Sequence, residues 1–151
     1  EKPKAANIIP EKVKFYDVPI KEIPLIKQGA DFITPEGKVI PNEQLTKPAP
    51  PSKSYAYCSD TAYNEQIVPL VKDVDLLYHE ATFAEDNLSR TKLTGHSTAG
   101  QAAKIAEAAT VKELMIGHFS SRYSDNQVLL QEAKSIFPNT VLANEGLIKK
   151  L

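Results

Sequence analysis

The side chains in this sequence with the most chemical capacity are few, and their placement is uneven. There are three histidines, His79, His96 and His118, and two arginines, Arg90 and Arg122. Asp60 follows a short, mostly apolar run at residues 55–59, His79-Glu80 ends a second run that starts at Val74, and His118 follows a third at residues 114–117. His96 stands two residues before Thr98, where a helical pattern opens. Imidazole and carboxylate are zinc-type ligands, and free of metal they are the acid–base groups of hydrolysis. Singly, each has an ordinary reading: Asp60 as a turn residue, His79 in a core, His96 within a helix cap, His118 on the surface. Jointly they have the composition of a metal-hydrolase site. Arg90 lies with Lys92 shortly before His96, and Arg122 lies four residues after His118. Arginine's planar fork suits phosphate, and surface ion pairs are the alternative use.

The elements that would position these residues begin near Ser54. Residues 55–59 read as a strand. Residues 65–72 read as a short helix behind Asn64, cut or kinked by Pro69. Residues 74–78 are the next strand, and a polar loop follows from residue 84 to Gly95. Thr98 with Gln101 forms a capping box. Ala99, Ala102, Ala103, Ala106 and Ala109 then line one face of a helix, small enough to sit close to a sheet. Residues 114–117 read as a strand. Ser124 with Gln127 repeats the capping box before a helix carrying Leu129, Leu130, Ala133, Ile136 and Phe137, which Pro138-Asn139 stops. Residues 140–143 are a last strand. Strands alternating with helices predict an α/β layered sheet, whose ligands bind beyond the carboxyl ends of the strands.

Residues 1–53 are different. Nine of the eleven prolines lie there, which disfavours long helices. Residues 31–40 read as a hairpin turning at Pro35-Glu36-Gly37, and residues 41–53 as an irregular connector. Two regions are therefore expected, 1–53 and 54–151. The net charge of −1 leaves no global footprint for nucleic acid, so any RNA contact must be local. Cys58 is the only cysteine and cannot form an internal disulfide, as suits a cytoplasmic protein. No apolar run reaches the roughly 20 residues of a membrane span, and no membrane partner is expected. Glycine-rich phosphate loops and Gly-x-Ser-x-Gly elbows are absent, which argues against a nucleotide-binding domain and a serine hydrolase.

Several of these segments resemble the ribonuclease Z branch of the metallo-β-lactamase superfamily. Tyr57-Cys58-Ser59-Asp60-Thr61 is similar to its strand-Asp-Thr motif, with Ser59 in place of the commoner glycine. His79-Glu80-Ala81-Thr82 matches its HEAT motif and Gly95-His96-Ser97-Thr98-Ala99 its HST motif. His118-Phe119-Ser120-Ser121-Arg122-Tyr123 resembles its last metal-histidine motif, and Phe137-Pro138-Asn139-Thr140 with Leu142-Ala143-Asn144 its terminal strand. Glu1-Lys2-Pro3 and the stretch from Val18 to Gly29 resemble the segment after the tRNA-binding arm, although Pro19-Ile20-Lys21-Glu22 replaces the usual Pro-Gly-Pro-Leu.

The resemblance implies the C-terminal half of a four-layer αβ/βα metallo-β-lactamase fold, with residues 1–53 as a lead-in following a missing tRNA-binding arm. It implies a zinc-dependent endoribonuclease that removes the 3′ trailer from precursor tRNA. Asp60 would bridge two zinc ions and His118 would complete one. His96 would act near the leaving group with Glu80 orienting it, and His79 beside them. Arg122, Arg90, Lys92, Ser120 and Thr61 would contact substrate. The family's His-x-His-x-Asp-His motif is not found, so an N-terminal half is expected to be missing. The fragment alone is then expected to bind zinc weakly and to be inactive, pairing with that half or forming a homodimer. Another phosphodiesterase or an aryl sulfatase of the same fold, and a non-catalytic α/β interaction module, are the rival readings.

Overall fold

The computed structural model describes residue 2 and residues 4–151, which form two compact units dividing after Ser52. Glu1 and Pro3, quoted in the resemblance, lie outside the described residues.

The first unit is built from short pieces. Strand β1 (Asn7–Ile8) is followed by helix α1 (Pro10–Phe15), a 3-10 turn at Ile20–Glu22, helix α2 (Ile23–Lys27), strands β2 (Phe32–Ile33) and β3 (Val39–Ile40), helix α3 (Asn42–Leu45) and strand β4 (Thr46–Lys47). Pro10 and Pro24 sit at helix starts, where their missing N–H costs nothing. The hairpin pairs Phe32 with Ile40 and turns through Gly37 at φ 83°, a conformation glycine adopts without strain. The expected irregular connector is corrected at its start: residues 42–47 form α3 and β4, and β4 pairs antiparallel with β1. Asn42 makes that order local, because its Nδ2 donates to the Ile26 and Ala30 carbonyls and its Oδ1 accepts from Thr46. Val18, Ile26, Phe32, Ile40 and Leu45 form the small core.

In the second unit, β5 (Tyr55–Cys58), β6 (Leu76–Glu80), β7 (Leu114–Gly117) and β8 (Thr140–Leu142) make one parallel sheet in sequence order. The segment after β5 is a 3-10 helix, Glu65–Leu70, not an α-helix over 65–72. Asn64 caps it by accepting from the Gln66 N–H, and Pro69 inside it keeps it short. The loop expected over 84–95 is helical too: a 3-10 turn at Glu85–Asn87 leads into α4 (Leu88–Thr94), which ends on Gly95 at φ 75°. Helix α5 (Ala99–Ala108) starts on the full Thr98/Gln101 capping box. Helix α6 (Gln127–Ile136) starts on Asn126, and Asp125 rather than Ser124 accepts the Gln127 N–H.

Strand alternation sorts the sheet's two faces. Ala56, Cys58, Leu77, Leu114 and Ile116 face the helical side, where the alanines of α5 and Leu129 and Ala133 of α6 complete the core. Within this unit, Tyr55 and Tyr57 on the other face are exposed. Tyr57 stacks on Tyr78 with centroids 4.6 Å apart, and Tyr78 lies so close over Gly117 that a Cβ there would meet its hydroxyl at 2.5 Å.

Candidate metal and acid–base site

The carboxyl ends of β5, β6 and β7 carry the candidate residues. Two residues beyond β5, Asp60 takes φ 49°, and immediately beyond β7, His118 takes φ 61°. Left-handed backbone at a non-glycine residue costs about 1–2 kcal/mol. Both chains turn sharply there, and both side chains leave the sheet edge towards one point. His118 Nε2 lies 3.2 Å from Asp60 Oδ1. His96, delivered just before the α5 cap, stacks obliquely on His118 with ring centroids 5.1 Å apart. One ligand atom each from Asp60, His96 and His118 lie within 4.8 Å of one another.

Beneath this cluster is Glu80, wholly buried. Its Oε1 accepts from the Thr61 N–H at 2.9 Å and His96 Nδ1 at 2.8 Å. Its Oε2 accepts from the Thr82 hydroxyl at 2.7 Å and from the Thr82 and Ser97 N–H groups at 3.2 Å each. Burial pushes the carboxyl upwards, but hydrogen bonds from Thr82, His96 and Ser97 outweigh it, so the group is held below the ordinary glutamate value. Five donors thus engage the lone pairs of Glu80. Because Nδ1 of His96 donates to Glu80, Nε2 of His96 is the free nitrogen, and that side chain is 23% exposed. His118 and Asp60 are more open, at 43% and 70%.

His79, expected beside Glu80 in the chemistry, lies apart from the cluster. Strand parity turns it to the opposite face, the helical side, together with Leu77. It is completely buried, its Nδ1 lies 2.7 Å from the Glu80 carbonyl, and its Nε2 has no partner. No substrate can reach it. Burial lowers the basicity of its ring.

The expected substrate-contact residues are placed less uniformly. Lys92 lines a small cleft of about 170 Å³ with His96, Tyr63 and Gln101. Arg90 is exposed on α4 and Arg122 on the loop after His118, and neither forms an ion pair among the described residues. The Thr61 N–H is committed to Glu80 and its hydroxyl to the Ala62 carbonyl. Ser120 donates its N–H to the Thr82 carbonyl and accepts from the Arg122 N–H through Oγ. Thr82 and Ser97 were given no role by sequence reasoning, although both stand inside the quoted motifs. The signal for Thr82 was its i+2 spacing from Glu80, which keeps two side chains on one side of an extended chain.

A carboxylate oxygen and two imidazole nitrogens are a donor set that zinc accepts. Tetrahedral zinc bonds of about 2.0–2.1 Å put neighbouring ligand atoms roughly 3.3–3.4 Å apart, close to the Asp60–His118 spacing. These residues fit a divalent cation.

No family model matches the chain. Among curated proteins, it is 58% identical over 147 residues to "Ribonuclease Z" of Parabacteroides distasonis and 57% identical over 147 residues to "Ribonuclease Z" of Bacteroides thetaiotaomicron. Each alignment covers 97% of the chain but only 48% and 46% of the relative, so the chain spans about half the length of the curated relatives it matches. Among solved structures, it resembles the metallo-beta-lactamase fold protein YhfI from Bacillus subtilis, with TM-score 0.57 and 29% identity over 64% of this chain and 39% of that one. The α/β sheet is accordingly part of a metallo-β-lactamase fold.

Proposed function

Because the chain belongs to the ribonuclease Z family, we propose that the protein carrying it is a metal-dependent endoribonuclease that removes the 3′ trailer from precursor tRNA. The observation that carries this reading is the convergence of Asp60, His96 and His118 within 4.8 Å at the sheet edge. Asp60 and His118 would hold the metal. A cation held there supplies Lewis-acid polarisation of a phosphoryl oxygen and a more acidic water.

His96 handles the leaving group. Its Nδ1–H is anchored on Glu80, so Nε2 is aimed outward. When that nitrogen carries a proton, the Glu80 carboxylate faces the positive ring and Nε2–H can be given to the departing oxygen. Proton transfer of this kind contributes typically about 10²–10⁴-fold. Arg122, Arg90 and Lys92 hold backbone phosphates, while Thr61 and Ser120 shape the loops around the site. The remaining metal ligands and the grip on the tRNA body are assigned to the rest of the protein. The cytoplasm, a homodimeric state and pairing with the other half of the fold belong to the same reading. No helix among the described residues is long and apolar enough to cross a membrane.

The test is single-turnover cleavage of a precursor tRNA beside metal analysis, in the protein that contains this sequence. His96→Ala is expected to lower turnover by 10²-fold or more and to leave the metal content unchanged. Loss of a metal equivalent would make His96 a third ligand, and absence of cleavage by the metal-loaded parent would remove the activity altogether.

A further inference from the structure

Glu80 touches only one of the two exposed histidines, yet both are oriented. His96 meets the carboxylate directly, while His118 meets it through one atom, the hydroxyl oxygen of Thr82. We propose that Thr82 is a positioning residue that carries the Glu80 carboxylate's influence to His118, fixing the ring as its Nδ1–H tautomer so that Nε2 faces the metal beside Asp60. The proposal rests on the reading of His118 and Asp60 as metal ligands.

The argument is one of proton count. Thr82 Oγ1 has three polar neighbours in reach: Glu80 Oε2 at 2.7 Å, the His118 carbonyl at 3.0 Å and His118 Nδ1 at 3.0 Å. The hydroxyl has a single proton to donate. The carboxylate is the nearest acceptor and the only charged one, and charge-assisted bonds are roughly twice as strong as neutral ones, so the proton goes to Glu80. The oxygen then faces Nδ1 with lone pairs, and Nδ1 must bring the proton to that contact. In the neutral ring Nε2 is left without one, and its lone pair then stands 3.2 Å from Asp60 Oδ1, an arrangement that a shared cation stabilises. Thr82 is buried, so water cannot take over the hydroxyl's place. The same carboxylate therefore sets both rings: His96 by contact and His118 at one remove. Partners of this kind in the outer shell typically contribute 10–100-fold to metal affinity.

The experiment is nitrogen-detected NMR of the three histidines at pH 8 in the 151-residue chain, with Zn²⁺ titration alongside, for wild type, Thr82→Val and Thr82→Ser. In wild type, His118 should be protonated at Nδ1. Thr82→Val should lose that tautomer, leave His96 protonated at Nδ1, and weaken zinc binding about tenfold or more. Thr82→Ser should restore both. If His118 keeps its Nδ1 proton in Thr82→Val, or if His96 changes with it, the relay is overturned. If the tautomer moves as expected but the protein that contains this sequence takes up no zinc, the relay stands and the metal reading beneath it falls.

Discussion

Glu80 is a buried carboxylate that stays charged because donors surround it. The direction of its shift sets a pH signature. A glutamate held below its ordinary 4.5 contributes stability that is present above that value and lost as pH falls through the lower folded value. Glu80→Gln removes the charge and sets an amide N–H₂ against donors. It should cost about 2 kcal/mol at neutral pH, the scale of hydrogen bonds to charged groups, and the gap from wild type should narrow below pH 4.5. Denaturant melts at pH 7 and pH 4 check this. His79 acts in the same sense for a different reason, since burial disfavours its protonated form. Its folded basicity lies below the ordinary value of 6.5. As pH falls below 6.5 the unfolded chain takes a proton that the folded chain refuses, so stability declines by at most about 1.4 kcal/mol per pH unit. His79→Gln should flatten the slope between pH 7 and pH 5.5; an unchanged slope would assign it to other groups.

At the scale of elements, one contact crosses two neighbouring strands and another starts a helix. Gly117 ends β7 beneath the Tyr78 ring, and a methyl there would stand within 3 Å of the Tyr78 hydroxyl oxygen and two ring carbons. Gly117→Ala should destabilise the chain by about 1–3 kcal/mol through overpacking. Tyr78→Leu in the same chain should recover part of that loss, and thermal melts of the double-mutant cycle would read the coupling. At the start of α5, Thr98 accepts the Gln101 N–H while Gln101 accepts the Thr98 N–H. Thr98→Ala should cost about 0.5–2 kcal/mol. Because Ser97 lies next to this cap and donates to Glu80, the same change should raise amide exchange at Ser97, which hydrogen exchange would show.

For the whole molecule, the count of metal donors governs the behaviour of this chain. Zinc sites use three or four protein ligands, and of the one group of three that the described residues bring together, Asp60, His96 and His118, the proposed function reads only Asp60 and His118 as ligands. Calorimetry on the 151-residue chain should give no more than one zinc equivalent, weaker than about micromolar. Submicromolar binding of two ions would overturn the ligand assignment. The parallel sheet bears on association as well, because such sheets are ordinarily covered on both faces. Within its unit, the face carrying Tyr55 and Tyr57 borders a groove of about 410 Å³ lined by Leu76, Met115, Ala143 and Leu147. Apolar surface of this kind favours self-association, and light scattering should show a mass above the monomer's 16.6 kDa.

The order of strands and helices after Ser54 could be read in the sequence because hydrophobic period and capping are local. The alanine stripe and the Thr98/Gln101 pair announce α5 within a dozen residues, and Asp60, His96 and His118 stand at element ends that the pattern already marks. What could not be read there depends on partners far along the chain. Helix α4 has no apolar stripe: Leu93 is exposed and Thr91 is its only buried residue. The turn leading into it is held by Tyr123, whose hydroxyl accepts from the Ala84 N–H and the Asn87 side chain. His79 and Glu80 are neighbours that alternation sends to opposite faces, one into an apolar core and the other to a ring of donors. Thr82 has a role only because His118, 36 residues later, turns back at a positive φ to meet it. Periodicity and caps are properties of a short stretch of chain. Which nitrogen of a ring is free, and which carboxylate stays charged, depends on the atoms the fold places around them.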